Sequence, residues 1–306
     1  MTARPCIFGE VLFDHFPDGR RVLGGAPFNV AWHLQAFGAS PFMVSKLGAD
    51  EEATVVESLM SNWGMDRGGV GMDPSLPTGR VRVHIERNEP TYDIVRPAAW
   101  DAIEVPDNTP HFTLLYHGSL ALRSEKSRAG CEILRQRAIS GGAIVFIDVN
   151  LRKPWWDRTD VLHSLKGADW VKLNGEELDL LAPGTESQEQ RALSLLERFG
   201  LNGMLLTQGS EGAEILTAEG ERFETKPRAG LKFVDTVGAG DAMASVMILG
   251  LLNGWELQLS LQRAQEMASA IVGRRGATVT ESAFYRKLTD SWSRNPAGTE
   301  KYNKAQ

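Results

Sequence analysis

Apolar residues of this chain gather in short runs, and stretches with helix-like spacing lie between them. "PFMVSKLG", "AIVFIDVN" and "GMLLTQG" predict buried strands, whereas "APFNVAWHLQAFG" and "DEEATVVESLMSNWG" predict helices that end at Gly38 and Gly64. Short continuous apolar strands separated by helices are typical of a parallel sheet that is covered on both faces. The pattern therefore predicts an α/β fold.

Two segments depart from this alternation. Residues 12–23 and 79–96 are predicted to form hairpins, because "VRVHIE" and "TYDIV" alternate polar and apolar residues as a half-exposed antiparallel sheet does. They predict a small accessory sheet that could close over a pocket as a lid. We interpret residues 1–290 as one domain that includes these lid strands, and residues 291–306 as a polar, flexible tail.

Composition narrows the class of protein. The 306 residues carry a net charge of -6, with Lys and Arg scattered along the chain, so nucleic acid is not an expected partner. Two cysteines and an N-terminus without an apolar leader indicate a cytoplasmic protein, and no apolar run is long enough for a bilayer. The six histidines show no zinc-binding spacing, and neither a Walker loop nor a G-x-S-x-G elbow occurs.

The segment "VDTVGAGDAMASVMILG" carries the clearest chemistry. Gly238, Ala239 and Gly240 precede a lone carboxylate, Asp241, at the start of an apolar helix. A helix N-terminus has free amides and a partial positive charge, and glycines let an anion approach it. A purely structural alternative is a tight glycine turn in which Asp241 complements the helix dipole. Phosphoryl transfer to an alcohol, however, needs both an anion cradle and a nearby base.

This segment resembles the D-T-x-G-A-G-D signature of the ribokinase-like (PfkB) carbohydrate kinases. The resemblance implies a three-layer α/β/α sandwich with a mainly parallel sheet and a small β-sheet lid. It also implies that Asp241 is the general base and that the amides of Gly238, Ala239 and Gly240 form the anion hole. Met243 stands where members usually carry an aromatic residue, and we expect it to change packing only.

The N-terminal third contains the matching sugar site. "LGGAPFN" resembles the family's G-G-x-x-x-N signature, which assigns Gly24, Gly25 and Asn29 to sugar hydroxyls, and the resemblance places Asp14, just beyond the first strand, on two hydroxyls. The glycines would also suit a helix start before Pro27. Asn29 is a poor helix former with no evident structural role, which favours a functional one.

Two further segments resemble the family's nucleotide and metal sites. "VKLNGEEL" matches an N-x-x-E pattern in which Glu177 positions Mg²⁺ through water, although acids at a helix start are common. "LLTQGSEG" resembles the turn that holds ATP, and it also fits a glycine hairpin. Family analogy adds K⁺ near Asp235 and residues 274–278. The residues assigned to the nucleotide are Lys172, Asn174, Thr207, Gly209, Gly212 and Gly240.

The sugar is the least determined feature. "IDVNLRKPWWD" resembles a stretch of fructokinases and of 2-keto-3-deoxygluconate kinases, and "GGAPFN" and "HGSLALRS" resemble fructokinases. Arg96 and Trp100 of the lid segment are expected to line the sugar site, and Arg152 to face phosphates or an acidic substrate group. We expect ATP-dependent phosphorylation of D-fructose at its 6-hydroxyl. Another sugar such as 2-keto-3-deoxygluconate or ribose, a catalytically silent sugar-binding regulator, and a homodimer through the lid remain alternatives.

Overall fold

The computed structural model describes residues 4–86, 89–227 and 235–294. The described strands, in chain order, are β1 (Pro5–Phe8), β2 (Leu12–His15), β3 (Arg21–Gly24), β4 (Phe42–Gly48), β5 (Val70–Asp73), β6 (Gly79–Glu86), β7 (Glu89–Ile94), β8 (Leu114–Gly118), β9 (Ile144–Asp148), β10 (Trp170–Asn174), β11 (Gly203–Thr207), β12 (Ala213–Thr217) and β13 (Arg222–Thr225). The described helices are α1 (Ala26–Ala36), α2 (Glu51–Asn62), α3 (Glu125–Gly141), α4 (Arg158–Ser164), α5 (Gly175–Leu181), α6 (Gln188–Phe199), α7 (Ala239–Asn253), α8 (Leu257–Val272) and α9 (Ser282–Arg294).

The main sheet has nine described strands in the order β13-β12-β11-β10-β9-β8-β1-β4-β5. Strands β11 to β5 in this order pair in parallel, and β12 and β13 add an antiparallel edge. The carboxyl ends of the parallel strands therefore lie along one edge of the sheet. In open α/β sheets, ligands bind at this edge.

Helices cover both faces of the sheet. One core combines side chains of α1, α2, α7, α8 and α9, and the other combines side chains of α3 to α6. Along β1, Cys6 and Phe8 face the second core while Ile7 faces the first, as the two-residue period of a strand requires. The predicted three-layer α/β/α sandwich is confirmed.

The second sheet has four described strands in the order β3-β2-β6-β7. Both predicted hairpins form, and the parallel pairing of β2 with β6 joins them. Val81 and Val83 are buried while Arg82 and His84 are exposed, so the predicted alternation is confirmed. Residues 87–88 of the predicted lid lie outside the described residues.

The end of the chain departs from the predicted tail. Helix α9 extends through Arg294, so residues 291–294 are helical, and Trp292 is buried in the first core. The apolar spacing of this helix was masked by its many polar residues. The rest of the predicted tail, residues 295–306, lies outside the described residues. None of the described helices is both long enough and apolar enough to cross a membrane.

Candidate active site

The N-terminus of α7 forms the centre of the candidate site. Gly238 caps this helix with φ of 81°, in the left-handed region that favours glycine. A Cβ at this position would lie 2.4 Å from the Cβ of Ala277, so the turn has room only for glycine. Asp241 lies in the first turn of α7, next to the amides of Ala239 and Gly240. Met243, two residues further along the helix, is buried in the core.

Asn29 and Asp241, 212 residues apart in sequence, meet at this point. The Asn29 amide Nδ2 donates to Asp241 Oδ2 at 2.8 Å. Asn29 reaches this position because α1 begins close to β1, with Gly25 at its N-cap and a φ of 107°. A Cβ on Gly25 would lie 2.5 Å from the carbonyl oxygen of Glu10. The two signature motifs thus form one site.

The environment of Asp241 suits a base. Burial raises the pKa of Asp241 to about 6, and the hydrogen bond from Asn29 opposes that rise by stabilising the carboxylate. The charge of Asp148 raises this pKa further, whereas the charges of Lys172 and Arg152 lower it. Such an acid is ionised at neutral pH and accepts a proton more readily than an exposed Asp does.

A buried ion pair lies beside this helix turn. Lys172 Nζ donates to both oxygens of Asp148, at 2.9 and 2.8 Å, and the Tyr116 hydroxyl donates to the same carboxylate at 3.2 Å. Burial alone would lower the pKa of Lys172, but the Asp148 charge raises it above its ordinary value. A Cβ on Gly240 would lie 3.3 Å from Lys172 Nζ. The ammonium, paired with Asp148, therefore lies beside the predicted anion hole.

The predicted sugar residues of the lid lie nearby. Asp14, on β2, is half-buried, and burial raises its pKa to about 6 while the charge of Arg152 lowers it. A Cβ on the neighbouring Gly24 would lie 3.9 Å from Asp14 Oδ2. The charge of Arg152 lowers the pKa of both Asp14 and Asp241, so its guanidinium lies within electrostatic range of both carboxylates.

Asn174 and Glu177 are joined by a capping box at the start of α5. Asn174 Oδ1 accepts from the Glu177 amide at 2.8 Å, and Glu177 Oε2 accepts from the Asn174 amide at 2.9 Å. Glu177 Oε1 accepts from the Leu151 amide at 2.7 Å. Both oxygens of the carboxylate are thus fixed by backbone amides. Among the described residues, no group of three or more His, Cys, Asp or Glu side chains could hold a metal ion directly.

The turn after β11 has the predicted glycine geometry. Thr207 ends the strand, and Gly209 and Gly212 follow with φ of 57° and 108°. A Cβ on Gly212 would lie 2.0 Å from the carbonyl oxygen of Thr225. This turn lies at the same carboxyl edge of the sheet as Asn174, because Asn174 and Thr207 are paired across β10 and β11.

Asp235 adjoins the segment that family analogy associated with K⁺. Its carboxylate accepts from the Val237 amide at 3.0 Å and from the Gly276 amide at 3.2 Å. Its own amide donates to the Val272 carbonyl at 3.2 Å. The structure therefore brings Asp235 and residues 272–276 together behind the anion-hole turn.

The structure corrects the assignment of Trp100 and places Arg96 beside Trp155. Trp100 is completely buried, and the Arg123 guanidinium stacks 3.8 Å from its ring centroid, so no face of the indole is available to a sugar. Arg96 lies 5.7 Å from the Trp155 ring centroid, at a cleft of about 810 Å³ between α3 and α4. The described residues that line this cleft include Arg96 but no other residue that was predicted to bind the sugar.

Three side chains near the candidate site were not predicted from the sequence. Asp148 is the last residue of β9, and Glu10 follows β1 by two residues, so both lie at the carboxyl ends of buried strands. Tyr92, on β7, lies on the same lid face as Asp14, because Asp14 pairs with Val81 and Val81 pairs with Ile94. Partial burial and the Asp14 charge raise the pKa of Tyr92. The two-residue spacing between Tyr92 and Ile94 was the available signal.

Comparisons with known proteins agree with this geometry. The sequence model described as "pfkB family carbohydrate kinase" matches residues 8–283. A fructokinase of Klebsiella pneumoniae is 30% identical over 266 residues, which cover 82% of this chain and 85% of that protein.

Solved structures of fructokinases share this fold. The crystal structure of fructokinase from Vibrio cholerae O395 in its fructose, ADP and calcium ion bound form has a TM-score of 0.79 and 26% identity, covering 94% of this chain and 99% of that one. The structure of fructokinase with bound ATP from Xylella fastidiosa has a TM-score of 0.86 at 20% identity, covering 97% of this chain and 100% of that one.

Proposed function

Because the chain belongs to the pfkB family of carbohydrate kinases, we propose that it transfers the γ-phosphoryl group of ATP to D-fructose at the 6-hydroxyl. One observation carries the catalytic part of the proposal. Asn29 of the first signature donates to Asp241 of the second at the N-terminus of α7. A polar residue that faces the sugar side and a base are thus held together where helix amides point at an anion.

Asp241 is the general base in this proposal. Its carboxylate removes the proton of the sugar hydroxyl as that oxygen attacks the γ-phosphoryl group. The amides of Gly238, Ala239 and Gly240 donate to the phosphoryl oxygens, and the Lys172 ammonium beside Gly240 offsets their charge. Asn29 keeps Asp241 ionised and oriented, because its amide donates to one of the two carboxylate oxygens.

Charge in the acceptor site favours a neutral sugar over an acidic one. Asp14 and Asp241 both lie within electrostatic range of Arg152 at the acceptor side of the site. A sugar carboxylate would meet two acids there, whereas a polyol offers hydroxyl donors to them. The relatives that are called fructokinases support fructose within the neutral sugars.

Glu177 and Asp235 are the residues that would adjoin cations. Each carboxylate oxygen of Glu177 accepts a hydrogen bond from one backbone amide and has a further lone pair. Glu177 could therefore also accept hydrogen bonds from the water shell of Mg²⁺. Asp235 and residues 274–278, whose Gly276 amide donates to the Asp235 carboxylate, would border K⁺. The divalent ion, when bound with ATP, supplies charge neutralisation on the phosphates.

A panel of acceptors tests the proposal. ATP consumption is measured in a coupled assay with fructose, 2-keto-3-deoxygluconate, ribose and adenosine, each with Mg²⁺ and with either K⁺ or a large organic cation. We expect fructose to give the highest kcat/KM. A higher value for 2-keto-3-deoxygluconate would contradict the charge argument, and tight sugar binding without turnover for any acceptor would favour a silent regulator.

A further inference from the structure

Glu10 is a buried acid that the mechanism above does not use. It follows β1 at the carboxyl edge of the sheet and is 3% exposed. Its Oε2 atom is buried, and no described residue donates a hydrogen bond to it. An ionised carboxylate in such a place is costly, because burial removes water and, although the backbone amide of Glu10 itself stabilises the carboxylate, Oε2 has no donor.

Neighbouring acids of the same site differ from Glu10 in this respect. Asp148, also fully buried, has the Lys172 ammonium on both oxygens and the Tyr116 hydroxyl on one. Glu177 has a backbone amide on each oxygen. Each oxygen of these two carboxylates therefore has a hydrogen-bond donor, whereas Glu10 Oε2 has none.

Charged groups surround Glu10 from several elements, but none forms an ion pair with it among the described residues. Asp241 acts on it from α7, Arg152 from the loop after β9, and Arg123 from the turn after β8. Arg123 already binds Asp101 through Nε at 2.7 Å and through Nη2 at 3.0 Å. The Asp101 charge therefore largely compensates that of Arg123, and Arg123 stabilises an ionised Glu10 only weakly.

Tyr116, on β8, adds a hydroxyl group to the same cluster, since the charges of Asp148, Asp241 and Glu10 all act on it. That hydroxyl donates to Asp148, so its proton is already engaged. In the described part of the chain, Asp241 is the carboxylate whose charge acts on Glu10, and it forms no ion pair with a cation.

We propose that Glu10 is a positioning residue that remains protonated beside Asp241, so that Asp241 alone carries the negative charge of the base. Two adjacent buried carboxyl groups do not both ionise readily. Burial and the charge of Asp241 raise the pKa of Glu10 to about 7, against an opposing hydrogen bond from its own backbone amide. Asn29 donates to Asp241 Oδ2, whereas Glu10 Oε2 has no donor, so Asp241 is the acid that loses its proton first.

The catalytic consequence rests on the proposed function. Ionisation of Glu10 as the pH rises through about 7 would add a second negative charge close to the migrating phosphoryl group. The kcat of the wild-type protein should then fall on the acid side, as Asp241 is protonated, and fall again on the alkaline side, as Glu10 ionises.

Thermal stability tests the protonation state without any substrate. A carboxyl group whose pKa is raised in the folded state binds more protons there than in the unfolded chain, so it costs stability as pH rises from about 4.5 to about 7. Glu10→Gln removes this cost. The Tm of this variant minus that of the wild type should rise by a few degrees between pH 5 and pH 8.

Glu214→Gln is the matched control. Glu214 is equally buried but accepts from Arg222 Nε at 2.7 Å and from Gln208 Nε2 at 3.0 Å. Loss of its charge should lower Tm at both pH values. If Glu10→Gln instead loses more stability at pH 8 than at pH 5, or fails to fold while the control folds, Glu10 is an anion and the proposal is overturned.

Kinetics provide a second, independent readout. Glu10→Gln should keep the acid-side fall in kcat and lose the alkaline-side fall. Persistence of the alkaline fall in this variant would overturn the proposal. If the wild type phosphorylates none of the sugars, the proposed function fails, and the Tm comparison still decides the state of Glu10.

Discussion

Replacement of Asn29 by Leu tests how the site controls its base. The substitution keeps a side chain of similar shape and removes the donor that lies 2.8 Å from Asp241 Oδ2. In the wild type, burial raises the pKa of Asp241 to about 6, and this hydrogen bond holds it from rising further. Without the donor the carboxylate loses stabilisation, so its pKa must increase.

The size of the shift follows from the strength of the bond. A hydrogen bond to a charged group contributes about 1.5–3 kcal/mol, which corresponds to about one to two pH units. A base with a pKa near 6 is about 90% ionised at pH 7, whereas one with a pKa of about 7–8 is about 10–50% ionised. We therefore expect kcat at pH 7 to fall about two- to tenfold, with the acid limb of the pH profile displaced upward by about one to two pH units.

The assay is kcat against pH at saturating sugar, so that weaker sugar binding appears in KM instead. Asn253→Leu is the control, because Asn253 lies at the opposite end of α7 and its amide donates to the Leu249 carbonyl. Its pH profile should match that of the wild type. If the acid limb of Asn29→Leu stays where the wild type has it, Asn29 does not stabilise the ionised base.

Two further substitutions probe the helix turn and the ion pair. Gly238→Ala should cost about 2–4 kcal/mol of unfolding free energy in urea titrations, because the left-handed backbone and the contact with Ala277 both oppose a Cβ; an unchanged midpoint would mean that the turn is not as tight as its geometry indicates. Asp148→Asn should cost about 3–5 kcal/mol by leaving the Lys172 ammonium buried without its partner. Adding Lys172→Met should restore part of that loss, and a double variant less stable than Asp148→Asn alone would refute this explanation.

The alternation of apolar strands and helices was sufficient to predict the layers of this fold. Continuous apolar runs such as "AIVFIDVN" are buried on both sides, and period-two segments such as "VRVHIE" form the half-exposed lid. The pairing of β2 with β6 was not predictable, because it joins segments that are 64 or more residues apart and depends on how the lid packs on α2. The final helix was missed because polar residues outnumber its apolar ones.

Within the site, the motifs identified residues whose backbone adopts a positive φ. Gly25 and Gly238 occupy positive φ values that the signatures require. Trp100 was placed wrongly because sequence position beside the lid cannot tell an inward-facing aromatic side chain from one that fills the core. Glu10 and Asp148 were missed because their role depends on neighbours from other strands, which only the folded chain brings together.

The central claim is that Asp241 deprotonates the sugar hydroxyl at the N-terminus of α7. The most direct measurement is kcat of Asp241→Asn with fructose, together with ATP affinity by calorimetry on the same protein. The account predicts a loss of about 10²- to 10⁴-fold in kcat with ATP affinity retained. A variant that binds ATP and turns over fructose at the wild-type rate would contradict it.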